Sequence, residues 1–256
     1  MCANKKRGFL NTDNHWERFG KIDPYFGVIS HDEYHKSNIN DEIKKKFFET
    51  GDEYIKKLFS NIYKHIDPDF NPKMALDYGC GVGRVIIPLS KYTDFVTGVD
   101  VSKSMLEECR INCEQNNIVN YRLVEANHEF FRDSEKHDFI HSFIVFQHIP
   151  KRRGELIFSS LIDRLTDKGI GVLHFTFAKK TIVRKILELI RNNVPLISNI
   201  INLLKRRHIL YPVMQMNSYD LNKLLGVLQK NGIKDTYIEF TDHGSDVGVL
   251  IYFQKT

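Results

Sequence analysis

Apolar segments of strand length alternate along the chain with segments in which apolar residues recur at helical spacing. The predicted strands are 74–78, 95–99, 119–124, 139–146, 171–177, 235–240 and 247–253. The predicted helices are 40–62, 103–116, 152–165 and 218–230. Strands that alternate with helices are typical of a parallel sheet covered on both faces. The pattern therefore predicts a three-layer α/β fold, closed by two terminal strands around a turn at 242–246.

Two segments lie outside this alternation. Residues 1–40 are rich in aromatic side chains and show too little periodicity for a long helix. We therefore predict that residues 1–70 form an N-terminal cap and helix, which precede a core at 71–256. Residues 178–213 carry two basic amphipathic patterns, and a connection of that length predicts a helical lid insertion. Peripheral contact with a membrane surface and a dimer interface stay open as alternatives for this insertion.

Composition limits the classes of function. The chain has 256 residues, 42% of them hydrophobic, and a net charge of +5, which suits one core and a phosphate-bearing small-molecule acceptor without requiring nucleic acid. No run of 18 apolar residues predicts a membrane span. The basic residues at 5–7 precede too short an apolar run for a signal peptide, so we expect a cytoplasmic protein, either a monomer or a homodimer.

The four cysteines are Cys2, Cys80, Cys109 and Cys113, and no two have Cys-x-x-Cys spacing. Cys109 and Cys113 lie four residues apart on one predicted helix face, where a metal pair or a disulfide is conceivable. Free buried thiols are the commoner outcome for such a pair. We therefore expect no metal site and a reducing compartment.

A glycine-rich loop follows the first predicted strand. That strand contains Asp77, and the loop places Gly79, Gly81 and Gly83 within five residues, followed by Arg84. Glycines at such a turn permit positive φ and a close approach of ligand to backbone. A dinucleotide fingerprint would need a small residue where Arg84 stands, and a phosphate loop would need Gly-Lys-Ser or Gly-Lys-Thr, which the chain lacks.

The pattern Asp77-x-Gly79-x-Gly81-x-Gly83, with Gly98-Val99-Asp100 at the end of the next strand, resembles the class I S-adenosylmethionine-dependent methyltransferases. This resemblance implies a Rossmann-like seven-stranded sheet whose last strand is antiparallel. The cofactor would be S-adenosylmethionine, and the product S-adenosylhomocysteine. Asp77, the three glycines and Arg84 would form the methionine side of the pocket, with Arg84 pairing the carboxylate.

The resemblance implies further cofactor contacts after the second, third and fourth strands. Asp100 would accept hydrogen bonds from both ribose hydroxyls, although an Asp before a helix can also act as its cap. The other implied cofactor residues are Val101, Met105 packing on adenine, Asn127 at the adenine amino group and Phe146 facing the sulfonium. Met105 as ordinary core filler is an open alternative.

The acceptor side is predicted around the run 144–150, which resembles small-molecule methyltransferases. His148 has the unperturbed pKa of a general base for a hydroxyl acceptor, while a role in orienting substrate or holding the loop stays open. Gln147 is assigned to the acceptor with it. Trp16 and Tyr25 are predicted either to line the pocket or to anchor the amino-terminal segment to the core. His174, in the middle of a strand, is interpreted as a core histidine.

The acceptor class is inferred partly from missing motifs. The chain has no Asp/Asn-Pro-Pro-Tyr, typical of enzymes that methylate base amines, and no Pro-Cys for attack on a pyrimidine. The segment 16–26 weakly resembles bacterial methyltransferases associated with surface-glycan and polysaccharide assembly. We therefore expect O-methylation of a sugar, nucleotide sugar or glycan precursor. N-methylation of another metabolite, a catalytically silent cofactor-binding protein and a nicotinamide-dependent oxidoreductase are the alternatives.

Overall fold

The computed structural model describes residues 12–181, 211–212, 214–244 and 246–256. Within them, one seven-stranded sheet has the order β3-β2-β1-β4-β5-β7-β6. The strands are β1 (Met74–Tyr78), β2 (Phe95–Asp100), β3 (Tyr121–Glu125), β4 (His137–Ser142), β5 (Leu165–Lys179), β6 (Thr236–His243) and β7 (Asp246–Gln254). β7 is antiparallel to both β5 and β6, whereas β1 to β5 pair in parallel. The predicted Rossmann-like sheet with an antiparallel last strand is confirmed.

Helices cover both faces of this sheet. They are α1 (Thr12–Ile22), α2 (Pro24–Val28), α3 (Asp41–His65), α4 (Ile86–Leu89), α5 (Lys103–Gln115), α6 (His128–Arg132), α7 (Lys151–Asp163) and α8 (Leu221–Lys230). α3, α4 and α5 pack on one face around Phe59 and Phe139, and α7 and α8 pack on the other around Phe158 and Phe175. The three-layer architecture is therefore also confirmed.

The amino-terminal segment is more regular than its sequence suggested. The three-turn helix α1 places Trp16, Phe19 and Gly20 on its packed side, and a third apolar cluster joins α1, α2 and α3 to Met105 of α5. Short helices gain most of their stability from such tertiary packing and little from intrinsic propensity. This explains why weak periodicity did not reveal the helix.

The end of β4 differs from the prediction in a way that shapes the site. The strand ends at Ser142, and the chain turns through Ile144 at φ +59° into a 3-10 turn at Phe146–His148. The apolar run 139–146 is continuous, so sequence alone did not reveal where extended backbone stops. Phe146 and its two successors are therefore on a turn beyond the sheet.

β5 is longer than predicted at both ends. Residues 166–169 bulge out of the pairing with β4, with Lys168 at φ +63°. Residues 178 and 179, assigned by sequence to the insertion, pair with β7 as strand. The predicted lid helices at 182–210 lie outside the described residues. No helix in the described ranges is long and apolar enough to cross a membrane.

Candidate active site

The loop between β1 and α4 is closed by backbone hydrogen bonds and kept free of side chains. Gly79, Gly81 and Gly83 have φ values of +82°, +53° and +90°. The N–H groups of Gly79 and Cys80 both donate to the carbonyl of Val99, at 2.7 and 3.0 Å. A β-carbon on Gly79 would stand 2.2 Å from the side chain of Val145, so conformation and space both require glycine there.

Asp100 at the end of β2 joins this loop to α5. Its Oδ2 accepts the N–H of Gly81 at 3.0 Å, and its Oδ1 accepts the N–H of Ser102 at 2.9 Å. Burial raises the pKa of Asp100 to about 6, against the lowering effect of these N–H groups. Ser102 itself caps α5, since its hydroxyl accepts the N–H of Met105. Asp100 is therefore not the helix cap, and each carboxylate oxygen keeps a lone pair for a ligand hydroxyl.

Arg84 is a half-buried cation at the other end of the loop. Its guanidinium carbon lies 5.7 Å from the ring centre of Tyr54 and 6.0 Å from that of Phe143. Its only hydrogen bond among the described residues is a long one, 3.4 Å from Nη1 to the hydroxyl of Thr50, and its Nε is buried without a partner. Burial lowers its pKa. Such a group fits the carboxylate of a bound amino acid moiety.

The carboxylate of Asp77 is hydrogen-bonded within the protein. Its Oδ1 is 2.7 Å from Nδ1 of His141 on the neighbouring strand β4. Both side chains are almost fully buried. Asp77 therefore lies at the floor of the cleft between β1 and β4, where the strand order reverses and open α/β sheets bind ligands.

Three predicted adenine-side residues are placed differently from one another. Val101 follows Asp100 and is half-buried. Met105 is fully buried in the cluster with Phe19 and Tyr25, so the structure places it in the core. Asn127 caps α6, because its side-chain oxygen accepts two backbone N–H groups of that helix at 2.9 and 3.1 Å.

His148 is held in one tautomer by its neighbours. Its Nδ1 lies 2.6 Å from the carbonyl of Gln215, which can only accept, so Nδ1 carries the proton. Nε2 lies 3.2 Å from Nε2 of Gln147, whose amide oxygen accepts the hydroxyl of Thr176 at 2.7 Å. Burial lowers the pKa of His148 to about 4. The imidazole is therefore neutral near pH 7, with its lone pair directed at the Gln147 amide.

The other predicted acceptor residues do not all meet here. The ring of Trp16 lies edge-on to His148, with ring centres 4.9 Å apart. Tyr25 instead donates to Glu108 and Asn112 of α5, at 2.6 and 2.9 Å, so it anchors the cap. Phe146 is fully buried and does not face the cleft as predicted; its ring packs on Phe175 in the core.

Helix α1 connects the two halves of the site. Glu17 accepts hydrogen bonds from the N–H and hydroxyl of Ser104 and from the hydroxyl of Ser102, next to Asp100. Asp13 forms a two-pronged ion pair with Arg153 of α7, at 2.7 and 2.8 Å. Sequence reasoning missed these partners, together with Gln215 and Thr176, because no local pattern marks contacts between distant segments.

The described thiols, Cys80, Cys109 and Cys113, are buried and free. Burial raises the pKa of Cys80 to about 11. No group of three or more His, Cys, Asp or Glu side chains in the described ranges could hold a metal ion.

Comparison with known proteins is consistent with this geometry. Residues 75–169 match a family described as methyltransferase domain. The ubiquinone biosynthesis O-methyltransferase of Coxiella burnetii (strain RSA 493 / Nine Mile phase I) is 32% identical over 79 residues, 30% of this chain and 33% of that protein. An uncharacterized RNA methyltransferase of Aquifex aeolicus is 27% identical over 126 residues, 48% of this chain and 24% of that protein. The chain thus spans about a third or less of these relatives.

Among solved structures, the magnesium protoporphyrin IX methyltransferase of Synechocystis PCC 6803 has a similar fold. With bound S-adenosylhomocysteine it gives a TM-score of 0.60 at 18% identity, over 92% of this chain and 99% of that one. With bound S-adenosylmethionine the TM-score is again 0.60, at 15% identity over 98% and 100% of the two chains. An O-methyltransferase family protein of Burkholderia thailandensis gives 0.52 at 11% identity, over 95% and 68%.

Proposed function

We propose that the chain is a class I S-adenosylmethionine-dependent methyltransferase that transfers a methyl group to a small-molecule acceptor; the match of residues 75–169 to a methyltransferase domain and the fold support this. The observation that carries the proposal is the contact of Asp100 with the N–H of Gly81. It fixes a carboxylate beside a loop that has no side chains at three positions. That is the arrangement needed to hold a ribose at one end and expose backbone to the rest of the cofactor.

The residues present fit S-adenosylmethionine along its length. Asp100 would accept the ribose hydroxyls through its remaining lone pairs, and the glycine loop leaves room for the amino acid moiety. Arg84, half-buried and with its Nε buried and unpartnered among the described residues, would bind the carboxylate. When bound, the cofactor supplies a methyl group activated by the positively charged sulfur.

We propose that the acceptor atom is a hydroxyl oxygen and that His148 receives its proton. The neutral tautomer found for His148 has its lone pair on Nε2, which a hydroxyl could reach in place of the Gln147 amide. Its low pKa of about 4 makes it a modest base. Alignment of acceptor and methyl group therefore supplies most of the rate, as positioning can contribute about 7 to 11 kcal/mol.

A sugar, nucleotide sugar or glycan precursor is our first choice of acceptor. The net positive charge and the missing base-methylation motifs support it. Methylation of a pyrimidine carbon would need a nucleophilic thiol, and the described cysteines are buried. N-methylation of another metabolite is the second choice.

Two measurements test the proposal. Calorimetry should detect binding of S-adenosylhomocysteine to the folded protein, and Asp100→Ala should weaken it by about tenfold to a hundredfold, since hydrogen bonds to a charged group are lost. Transfer of labelled methyl from S-adenosylmethionine to one of a panel of hydroxylated sugars should then identify the acceptor. Binding without transfer to any acceptor would favour a silent cofactor-binding protein, and no binding by folded protein would refute the proposal.

A further inference from the structure

Two successive hydrogen bonds, the first buried and the second part-buried, connect the floor of the cleft to helix α3. Nδ1 of His141 lies 2.7 Å from the carboxylate of Asp77, and Nε2 of the same ring lies 2.8 Å from the hydroxyl of Tyr54. Asp77 and His141 are register partners on β1 and β4, whereas Tyr54 comes from α3. These hydrogen bonds therefore connect β1, β4 and α3 at the point where the strand order reverses.

The first of these hydrogen bonds has a definite direction. The carboxylate of Asp77 accepts, so Nδ1 of His141 donates to it. Nε2 of the same ring then pairs with the hydroxyl of Tyr54, which can either donate or accept. Asp77 thus fixes the ring of His141, which in turn fixes the phenol of Tyr54.

The orientation of Tyr54 matters because its ring lies beside the guanidinium of Arg84. The guanidinium carbon is 5.7 Å from the ring centre of Tyr54, and Phe143, whose ring is 4.4 Å from that of Tyr54, lies on the same group at 6.0 Å. The hydrogen bond to Thr50 is long, so these two aromatic faces are the main support that Arg84 has in the described part of the chain.

We infer that Tyr54 and His141 are positioning residues that hold Arg84 in place for the carboxylate of the cofactor. This inference rests on the proposed function. The carboxylate of Asp77 orients the ring of His141, and that ring orients the phenol of Tyr54. The ring of Tyr54 in turn supports the guanidinium of Arg84. Loss of any of these contacts should release Arg84 from the position in which its Nε is buried without a partner among the described residues, while the ribose contact proposed for Asp100 should be unaffected.

Two ligands separate this role from a general structural one. S-adenosylhomocysteine has the carboxylate, whereas 5′-methylthioadenosine has the same adenosine and a thioether but no amino acid moiety. By calorimetry, Arg84→Met should raise the Kd of S-adenosylhomocysteine about tenfold to a hundredfold and change the Kd of methylthioadenosine less than about twofold. Tyr54→Phe and His141→Asn should each raise the Kd of S-adenosylhomocysteine about twofold to tenfold, again with little change in the Kd of methylthioadenosine.

The two conservative variants break the same link. Asn at position 141 keeps an N–H for Asp77 but cannot reach Tyr54. The double variant should therefore bind S-adenosylhomocysteine no more weakly than either single variant. Tyr219→Phe is the matched control. It also removes a buried phenol, whose hydroxyl lies 3.0 and 2.9 Å from the carbonyls of Phe146 and Ile149, but it lies in the core cluster on the face of the sheet opposite Tyr54. It should leave both Kd values unchanged.

The outcomes separate the inference from the function on which it rests. Equal weakening of both ligands, or of neither, in Tyr54→Phe and His141→Asn would overturn the inference, since a merely structural role predicts no selectivity for the carboxylate. The ratio of the two Kd values comes from one preparation and therefore does not depend on the stability of the variant. If the wild-type protein binds neither ligand, the proposed function itself fails.

Discussion

Gly51 of α3 lies directly against the backbone carbonyl of Arg84. A β-carbon on Gly51 would stand 2.1 Å from that carbonyl oxygen, well inside the distance that real β-carbons show. The sequence alone presents Gly51 as a weak point in a helix, at a cost of about 1 kcal/mol relative to alanine. The structure shows what the glycine permits, which is close packing of α3 on the ligand loop.

Gly51→Ala should therefore destabilise the protein in spite of its better helix propensity. We expect a net loss of about 2 kcal/mol in the free energy of unfolding, because the loop or the helix must shift. Urea unfolding measures it, with Gly226→Ala as control. Gly226 is also in a helix, α8, and a β-carbon there would meet none of the described residues within 4 Å, so this variant should gain up to about 1 kcal/mol. A gain in both variants would contradict the role of the Arg84 contact.

Glu17 attaches α1 to the start of α5, and its removal should loosen the cap. The Ser102 and Ser104 bonds hold the pKa of Glu17 near 2, against the effect of burial. Because that pKa lies below the unfolded value, the stabilisation is present above about pH 4.5 and is lost as the pH falls towards 2. Glu17→Gln should cost about 1 kcal/mol at pH 7, a modest figure because the carboxylate is partly solvated.

The control for Glu17 is Glu107→Gln, which removes an exposed carboxylate of α5 that pairs with Arg110 three residues on. Fully exposed pairs of this kind contribute little to stability. Thermal unfolding at pH 7 and pH 3 should show that the deficit of the Glu17 variant is smaller at the lower pH. An equal effect of the two substitutions would show that Glu17 contributes no more than an ordinary surface charge.

The parts of the site that sequence could predict are those that local pattern determines. Gly79 to Arg84 and Asp100 each follow a short apolar run, and the carboxyl ends of adjacent parallel strands meet at one edge. The parts that were missed depend on distant pairings. Tyr54 and His141 are 87 positions apart and come from a helix and a strand whose contact only the fold creates. The carbonyl of Gln215 that fixes the tautomer of His148 carries no side-chain signal at all.

Loss of His148 should slow catalysis without abolishing it. We expect His148→Gln to lower kcat by about tenfold to a hundredfold, at the low end for a positioned base, because its pKa of about 4 makes it a weak one. Since burial keeps the imidazole neutral above that pH, His148 should add no inflection to the wild-type kcat profile between pH 6 and 8. His128→Gln, an exposed histidine of α6, is the control. An inflection near pH 6.5 that disappears in His148→Gln would contradict this.

Asp100 predicts that cofactor affinity depends on pH. Burial raises the pKa of its carboxyl from 3.8 to about 6, and the carboxylate is the form that accepts hydroxyl hydrogen bonds. A raised pKa means that the folded protein without ligand holds this proton more tightly than the unfolded chain. The stability from that group is therefore present below pH 3.8 and is lost as the pH rises through 6. Ligand binding favours the opposite, ionised form.

The Kd of S-adenosylhomocysteine, measured by calorimetry from pH 5 to pH 8, should consequently be constant above about pH 7 and rise about tenfold at pH 5. Asp100→Asn should bind more weakly at every pH and show no such dependence, because the amide does not titrate. The wild-type protein should also release a proton on binding near pH 6, which two buffers of different ionisation enthalpy would reveal. A wild-type Kd that stays constant down to pH 5 would mean that the carboxylate of Asp100 does not bind the ribose.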